Sequence, residues 1–188
     1  MRGMNDLRPG TVSVASGEVL EVGFGTALNL EYYGADVTRV TGLDPMSTEG
    51  MDAVDERIAA ASFPVERTLL RADGELPFDA GRFDTVVTTW TLCSIPDAGA
   101  ALAEMRRVLR PGGRYVFIEH GRSDDAGTAR WQDRLNPMWR ALTGECNINR
   151  RIDEIVQQAG FELGSLDRFL GDGPPILTTL YRGVARRT

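Results

Sequence analysis

The chain has 188 residues, a formal net charge of -6 and 42% hydrophobic residues, a length and apolar content that suit one compact domain over residues 1–188. Its 27 acidic side chains outnumber its 21 Lys and Arg side chains, which argues against a nucleic-acid partner because a long phosphate footprint requires a basic face. Small-molecule partners are therefore expected.

Short β-rich runs alternate with helical stretches along most of the chain. Runs rich in β-branched or aromatic residues, each short enough for a buried strand, cover residues 19–22, 37–43, 65–70, 83–89 and 115–119. After the fourth run, Asp97 is a typical helix N-cap, and apolar side chains recur at helical spacing until Pro111 ends the segment. This alternation predicts right-handed crossovers in an open parallel sheet, with ligands beyond the carboxyl ends of its strands.

The pattern changes towards the C-terminus. A helix is predicted over residues 151–159, ending at Gly160, and β-like stretches follow over 161–169 and 176–184. The turn-rich join at residues 171–175 is too short for a helical crossover, so these two strands should pair antiparallel. The predicted fold is α/β, with a mostly parallel seven-stranded sheet closed by an antiparallel C-terminal hairpin.

The stretch GEVLEVGFGTALNL carries the first candidate site. Its glycines, Gly23 and Gly25, follow a predicted strand and precede a predicted helix, so backbone N–H groups and a helix N-terminus could approach an anionic group. The dinucleotide fingerprint requires a third glycine where Leu28 stands, which weakens the prediction of a nicotinamide cofactor. A purely structural strand-to-helix turn explains this motif alone equally well.

Two acidic residues follow the next two predicted strands. Asp44 ends the second strand, where a carboxylate can accept both ribose hydroxyls of an adenosine. Asp73 ends the third and could accept from an exocyclic amine of the base. Each acid alone is more often a solvated loop carboxylate, but together they indicate a nucleoside site.

These motifs resemble those of the class I S-adenosylmethionine-dependent methyltransferases. The blocks VLEVGFGTALNL, VTGLDP, ADGELPF, FDTVVTTWTLCSIPD and ALAEMRRVLRPGGRYVFIEHG look like the signature blocks of that family, in its order, from about residue 17 to residue 160. The resemblance implies a Rossmann-like three-layer sandwich with S-adenosylmethionine as cofactor. It assigns the methionine end of the cofactor to residues of the glycine turn, the ribose to the second strand, the adenine to the third, and closure over the cofactor to the end of the fourth. The implied cofactor-binding residues are Glu21, Gly23, Phe24, Gly25, Asp44, Pro45, Ala72, Asp73, Gly74, Thr89 and Trp90.

A narrower resemblance lies in LCSIPD, EHGR and RWQDRLNPMWRALTGECNINR, which look like a small-molecule branch that includes thiol S-methyltransferases. Three features depart from that branch. Ala27 stands where many relatives have glycine, which a tight loop tolerates if its backbone angles stay negative. Asn147 stands where bacterial relatives often carry histidine. The short segment before the first strand is expected to leave the site more open than in the relatives.

Transfer of an activated methyl group requires mainly positioning and a dry pocket, plus a base if the nucleophile carries a proton. His120, the only histidine, is the candidate general base, although it could equally hydrogen-bond a neighbouring loop. The candidate pocket for the methyl acceptor contains Cys93, Glu119, Trp131, Asn147 and Arg150. For three of these a plainer role is open: Cys93 as a small buried thiol, Trp131 as helix packing, and Arg150 as an exposed arginine at a helix start.

The two cysteines, Cys93 and Cys146, are too few for a disulfide framework, and their spacing matches neither a zinc site nor a redox CxxC pair. We expect reduced thiols and no metal, since a lone histidine cannot supply a metal site. No apolar run is long enough for a signal peptide or a membrane span, so a cytoplasmic protein without membrane insertion is predicted.

The predicted function is methyl transfer from S-adenosylmethionine to a small thiol, or to another apolar O, N or C nucleophile, by in-line displacement. One alternative is a module that binds S-adenosylmethionine or S-adenosylhomocysteine without catalysis. Another is a dinucleotide oxidoreductase, against which Leu28 and the antiparallel C-terminal strands both argue. The sequence leaves the oligomeric state open.

Overall fold

A computed structural model describes residues 6–70 and 74–188 of the chain. Its centre is a seven-stranded sheet with strand order β3-β2-β1-β4-β5-β7-β6. Strands β1 to β5 run parallel, and β7 lies antiparallel between β5 and β6. The strand bounds are β1 Gly17–Val22, β2 Val37–Asp44, β3 Val65–Leu69, β4 Phe83–Thr89, β5 Leu109–His120, β6 Phe161–Leu170 and β7 Thr179–Arg187. The predicted mostly parallel sheet with its antiparallel C-terminal pair is confirmed.

Helices cover both faces of this sheet. They are α1 Pro9–Val12, α2 Asp52–Ala60, α3 Ala98–Val108, α4 Ala126–Thr143, α5 Ile152–Gln158 and α6 Pro175–Thr178, with a 3-10 turn at Leu30–Tyr32. Within residues 6–70 and 74–188, none of the helices has the length and apolar character that a membrane span requires.

Alternation along the central strands divides the core into two layers. Leu20, Val86 and Phe117 point to one face and pack with the apolar sides of α3 and α5. Their neighbours Val19 and Val87 point to the other face and pack with α1, α2 and the 3-10 turn. Because successive side chains of a strand point to opposite faces, a strand buried on both sides reads as a continuous apolar run. The result is the three-layer sandwich that the sequence predicts.

The connection from β1 to β2 differs from the prediction. In place of the expected helix after the glycine turn, the chain forms only turns and the 3-10 turn Leu30–Tyr32. Residues 23–36, all of which the structure describes, contain no α-helix, so the prediction of a helix-end anion site after the glycines is wrong.

The C-terminal strand also begins later than predicted. Residues Pro175–Thr178 form the single helical turn α6, with Pro175 in its first turn, and β7 starts only at Thr179. A proline is well placed there because its fixed φ and missing N–H cost nothing at a helix start. At the other side of the sheet, β5 begins at Leu109, directly after α3, rather than at residue 115.

Candidate functional site

The backbone N–H groups of the glycine turn after β1 already donate to acceptors on β2. The N–H groups of Gly23 and Phe24 both donate to the Leu43 carbonyl, at 2.8 and 3.2 Å, and that of Gly25 donates to Asp44 Oδ2 at 2.9 Å. The Phe24 side chain is buried against Gly42 of β2. Gly23 and Gly25 have positive φ, of 82° and 50°, a conformation that favours glycine. The backbone N–H groups of both residues already have acceptors within the protein.

Glu21 lies beneath this turn, buried in a polar network at the end of β1. Its carboxylate accepts from Asn29 Nδ2 at 2.8 Å and from the Tyr33 hydroxyl at 2.7 Å. Burial raises the pKa of Glu21 to about 7, although the bonds from Tyr33 and Asn29 and the charge of Arg8 oppose this shift. Asn29 also reaches Thr89 Oγ1, at 3.1 Å, and so links the ends of β1 and β4.

Arg8, at the start of α1, covers the same network from the N-terminal side. Its Nη1 donates to Asn29 Oδ1 at 2.6 Å and to Thr89 Oγ1 at 3.1 Å, and burial lowers the pKa of the guanidinium. No sequence motif marks Arg8, so its position at the site could not be predicted. The N-terminal segment, expected to leave the site open, in fact places a cation over it.

Two buried donors at this point have no hydrogen-bond partner within the described parts of the chain. They are Arg8 Nε and the indole Nε1 of Trp90. Trp90 has a positive φ of 53°, which is strained for a bulky residue and is found most often at functional sites. Two unpaired N–H donors suit the carboxylate of an amino-acid group such as the methionine end of the expected cofactor.

Asp44, the last residue of β2, borders the glycine turn. Besides holding Gly25, its Oδ1 accepts from the Met46 amide at 3.0 Å, and it borders a small pocket lined also by Phe24, Thr48 and Leu69. Pro45 is exposed beside it, and Gly74 has a positive φ of 79°. The predicted adenine-binding residues Ala72 and Asp73 lie outside the described residues.

Ala27 departs from the expected geometry. Its φ is 60°, whereas an alanine was expected to be tolerated here only at negative backbone angles. Its methyl group is fully buried in the core beside α1 and α2. A left-handed conformation costs a non-glycine residue about 1–2 kcal/mol. Burial of the methyl group offsets part of this strain.

Three residues that are far apart in sequence lie close together beside the loop after β4. Cys93 and Cys146 are both buried and their sulfurs lie 3.5 Å apart, while Nδ1 of His120, at the end of β5, lies 3.6 Å from the Cys146 sulfur. Glu119, also buried, accepts from the amides of Thr91 and Cys93 at 3.2 and 3.1 Å. Burial raises the pKa of Glu119. The general-base role of His120 stays a prediction.

Asn147 and Arg150 brace this loop. Asn147 Nδ2 donates to the Cys93 carbonyl at 3.0 Å, and the Arg150 guanidinium donates to the carbonyls of Leu92, Ile95 and Pro96 at 2.7 to 3.1 Å. Burial lowers the pKa of Arg150. Arg150 is therefore not the exposed arginine of the plainer alternative, and its role in the acceptor pocket stays a prediction.

Trp131 lies apart from the other predicted pocket residues. Its side chain is 52% exposed on α4, with the Arg134 guanidinium 5.5 Å from the centre of its ring. On the same helix Met138 is 59% exposed, whereas Trp139 packs against Cys93 and Cys146. Trp131 and Met138 are therefore largely exposed, and the helix-packing role left open for Trp131 is wrong.

Comparison with known proteins agrees with this architecture. A family model described as a methyltransferase domain matches residues 20–117. The human thiol S-methyltransferase TMT1A is 33% identical over 145 residues, which are 76% of this chain and 59% of that protein. A phosphatidylethanolamine N-methyltransferase from Cereibacter sphaeroides is 31% identical over 85% of this chain and 81% of its own length.

Solved structures share the fold. A putative methyltransferase from Bacillus halodurans superposes with a TM-score of 0.74 at 16% identity, covering 100% of this chain and 99% of that one. The chain spans about three fifths of the human relative named above. Together with the strand order and the polar site at the ends of β1, β2 and β4, these matches place the chain in the class I S-adenosylmethionine-dependent methyltransferase family.

Proposed function

We propose that this chain transfers a methyl group from S-adenosylmethionine to the sulfur of a small apolar thiol. The observation that carries the proposal is the 33% identity to a human thiol S-methyltransferase, which extends over 76% of this chain. The thiol S-methyltransferase activity is that of the relative, of whose length this chain covers 59%.

In this proposal, the N-terminal segment and the ends of β1 and β4 hold the methionine end of the cofactor. The unpaired donors Arg8 Nε and Trp90 Nε1 would bind its carboxylate, and the Glu21 network lies beneath them. Asp44 would accept the ribose hydroxyls. Pro45 and Gly74, with Ala72 and Asp73 from beyond the described residues, stay predicted contacts of the adenosine part.

Bound S-adenosylmethionine supplies a methyl group already activated on a sulfonium centre. The chain must therefore position the acceptor in line and exclude water. The apolar surroundings of Cys93, formed by Ile148, Trp139, Ile176 and Leu177, suit an apolar acceptor. Glu119 holds the Cys93 loop by accepting from the amides of Thr91 and Cys93, and His120 stays the candidate base for the thiol proton.

The experiment is a competition among acceptors. The full chain is incubated with S-adenosylmethionine carrying a trideuterated methyl group and with thiophenol, phenol and aniline at equal concentration, and methylated products are identified by mass. Labelled methyl phenyl sulfide is the expected main product. Methylation of phenol or aniline with none of the thiol would contradict the proposal.

Two other functions would give different results in the same assay. A module that binds S-adenosylmethionine without catalysis predicts tight binding and no labelled product. An amine acceptor is favoured by the bacterial phosphatidylethanolamine N-methyltransferase, of which this chain covers 81%, and is tested by adding vesicles of phosphatidylethanolamine to the panel. Labelled lipid in place of the labelled sulfide would favour that acceptor.

Several broader expectations stay predictions. They are the organisation of residues 1–188 as one domain, the cytoplasmic location and the lack of a nucleic-acid partner. The excess of acidic over basic side chains, 27 against 21, supports the last of these.

A further inference from the structure

Cys93, His120 and Cys146 form a cluster that methyl transfer itself does not require. One ligand atom from each residue lies within 4.8 Å of those of the other two. The three residues come from different elements: the loop after β4, the last position of β5, and the segment after α4. Nothing in their sequence spacing reveals this, because 53 residues separate the two cysteines.

Two of the three separations between ligand atoms are close to the edges of a tetrahedron around a zinc ion, and the third, between Cys93 and His120, lies within 4.8 Å. Bonds of about 2.3 Å to sulfur and about 2.0 Å to nitrogen at tetrahedral angles place two sulfurs about 3.8 Å apart and a sulfur about 3.5 Å from a nitrogen. The observed separations are 3.5 Å between the two sulfurs and 3.6 Å between Cys146 Sγ and His120 Nδ1. A disulfide would require the sulfurs to approach to about 2.05 Å.

The surroundings also suit a thiolate-bound metal. Asn147 and Arg150 fix the loop that carries Cys93 through its carbonyl groups, as outer contacts do in metal sites. Cys93 and Cys146 are buried beside Trp139 and Ile148 in an apolar shell.

We propose that Cys93, His120 and Cys146 bind one zinc ion whose fourth position is open to the sulfur of the methyl acceptor. Two thiolates and one imidazole with a free position are a ligand set typical of catalytic rather than structural zinc. The cluster lies at the carboxyl ends of β4 and β5, the sheet edge that carries the glycine turn and Glu21.

The role of the open position rests on the proposed function. An acceptor thiol would bind zinc as a thiolate and release its proton to solvent, so His120 would serve as a zinc ligand and not as the base. Its sulfur then forms a bond to the methyl carbon while the bond from that carbon to the sulfonium sulfur breaks. The products are a thioether and S-adenosylhomocysteine, and the zinc ion is unchanged.

Cobalt is the probe for the site because, unlike zinc, it absorbs visible light. The reduced, metal-free full chain is titrated with Co²⁺ in a buffer whose reductant is a phosphine, so that no added thiol competes for the metal. We expect one ion per chain, a thiolate-to-cobalt charge-transfer band, the intense visible bands of tetrahedral cobalt, and loss of all of these when Zn²⁺ is added. A reduced chain that binds no metal, or a chain that forms a Cys93–Cys146 disulfide under these conditions, would overturn the proposal.

Variants identify the ligands. Cys93→Ser, Cys146→Ser and His120→Asn should each weaken metal binding by more than about 100-fold, beyond the loss typical of outer contacts. Ser94→Ala is the matched control, because Ser94 Oγ touches the Cys93 sulfur at 3.7 Å without belonging to the cluster. Calorimetric binding of S-adenosylmethionine to each variant shows that it is folded. Equal metal affinity in the ligand variants and the control would refute the assignment.

Thiophenol tests the open position separately. Added to the cobalt-loaded chain, it should increase the charge-transfer absorption, while anisole, which lacks the thiol, should leave the spectrum unchanged. An unchanged spectrum at saturating thiophenol would refute coordination of the acceptor. Methylation of thiophenol by a metal-free chain would refute the zinc role and leave the proposed function intact. Metal binding without any methylation would contradict the proposed function and leave the metal site intact.

Discussion

The guanidinium of Arg8 lies 4.9 Å above the centre of the Trp90 ring. This contact joins the N-terminal segment to the loop after β4, and Arg8 also reaches the Glu21 network through Asn29. Arg8 Nε and Trp90 Nε1, both buried, lack partners within the described part of the chain. A buried unpaired donor costs about 1–3 kcal/mol, so a ligand that supplies acceptors here gains this energy on binding.

Arg8→Ala is therefore expected to weaken binding of S-adenosylmethionine. The loss of hydrogen bonds from a charged group, worth about 1.5–3 kcal/mol, corresponds to a rise in Kd of roughly 10- to 100-fold. Calorimetric titration measures it, with Arg39→Ala, which removes a surface ion pair to Glu66, as the control. Equal affinities in the two variants would mean that Arg8 only secures the N-terminal segment.

Glu21 should make the folded chain less stable as the pH rises. Because folding raises its pKa from 4.5 to about 7, the folded chain holds this proton more tightly than the unfolded chain does. The free energy of unfolding should then fall by up to about 3 kcal/mol between pH 4.5 and 7 on account of this group.

Denaturant unfolding of the wild type and Glu21→Gln across this pH range measures that contribution. The variant cannot ionise, so its stability relative to the wild type should increase with pH. Glu162→Gln, at an exposed position of β6, should run parallel to the wild type. A Glu21→Gln curve that is also parallel would contradict the raised pKa.

Asp44→Ala should weaken binding of S-adenosylmethionine by roughly 10- to 100-fold. The change removes the proposed ribose acceptor and also leaves the amides of Gly25 and Met46 without their present partner. Asp172→Ala, in the exposed turn before α6, should leave the affinity unchanged. If both variants bind as the wild type does, Asp44 is not part of the site.

Arg150→Ala should destabilise the loop that carries Cys93. Three carbonyl groups, those of Leu92, Ile95 and Pro96, lose their charged donor, which should lower the free energy of unfolding by about 2–3 kcal/mol. Faster hydrogen exchange of the amides in residues 91–97 should accompany this loss. The exposed Arg130→Ala is the control, and an equal effect of the two changes would exclude the bracing role.

Much of the fold could be predicted because its strands are short, apolar and separated by turn residues. The runs at 19–22 and 83–89 coincide with the central strands β1 and β4, which are buried on both faces. The turn at residues 171–175 is too short for a crossover, which fixed the antiparallel pairing of β6 and β7. The absence of a helix after β1 could not be predicted, because residues 23–36 contain several apolar side chains and no proline that would exclude a helix.

The site was less predictable because it depends on contacts between distant residues. Arg8 meets Thr89 across 81 positions, and Cys146 meets Cys93 across 53. Spacing along the chain carries no signal of either contact. Motifs located the ends of the strands correctly, but only the packed sheet brings the cysteines and His120 together.

Calorimetric titration of the full chain with S-adenosylmethionine, S-adenosylhomocysteine and NAD tests the central claim most directly. Micromolar binding of the first two compounds at one site per chain, with no heat from NAD, is the predicted result. Failure of S-adenosylmethionine to bind, or equal binding of NAD, would contradict the assignment of Arg8, Glu21 and Asp44 to a methyl-donor site.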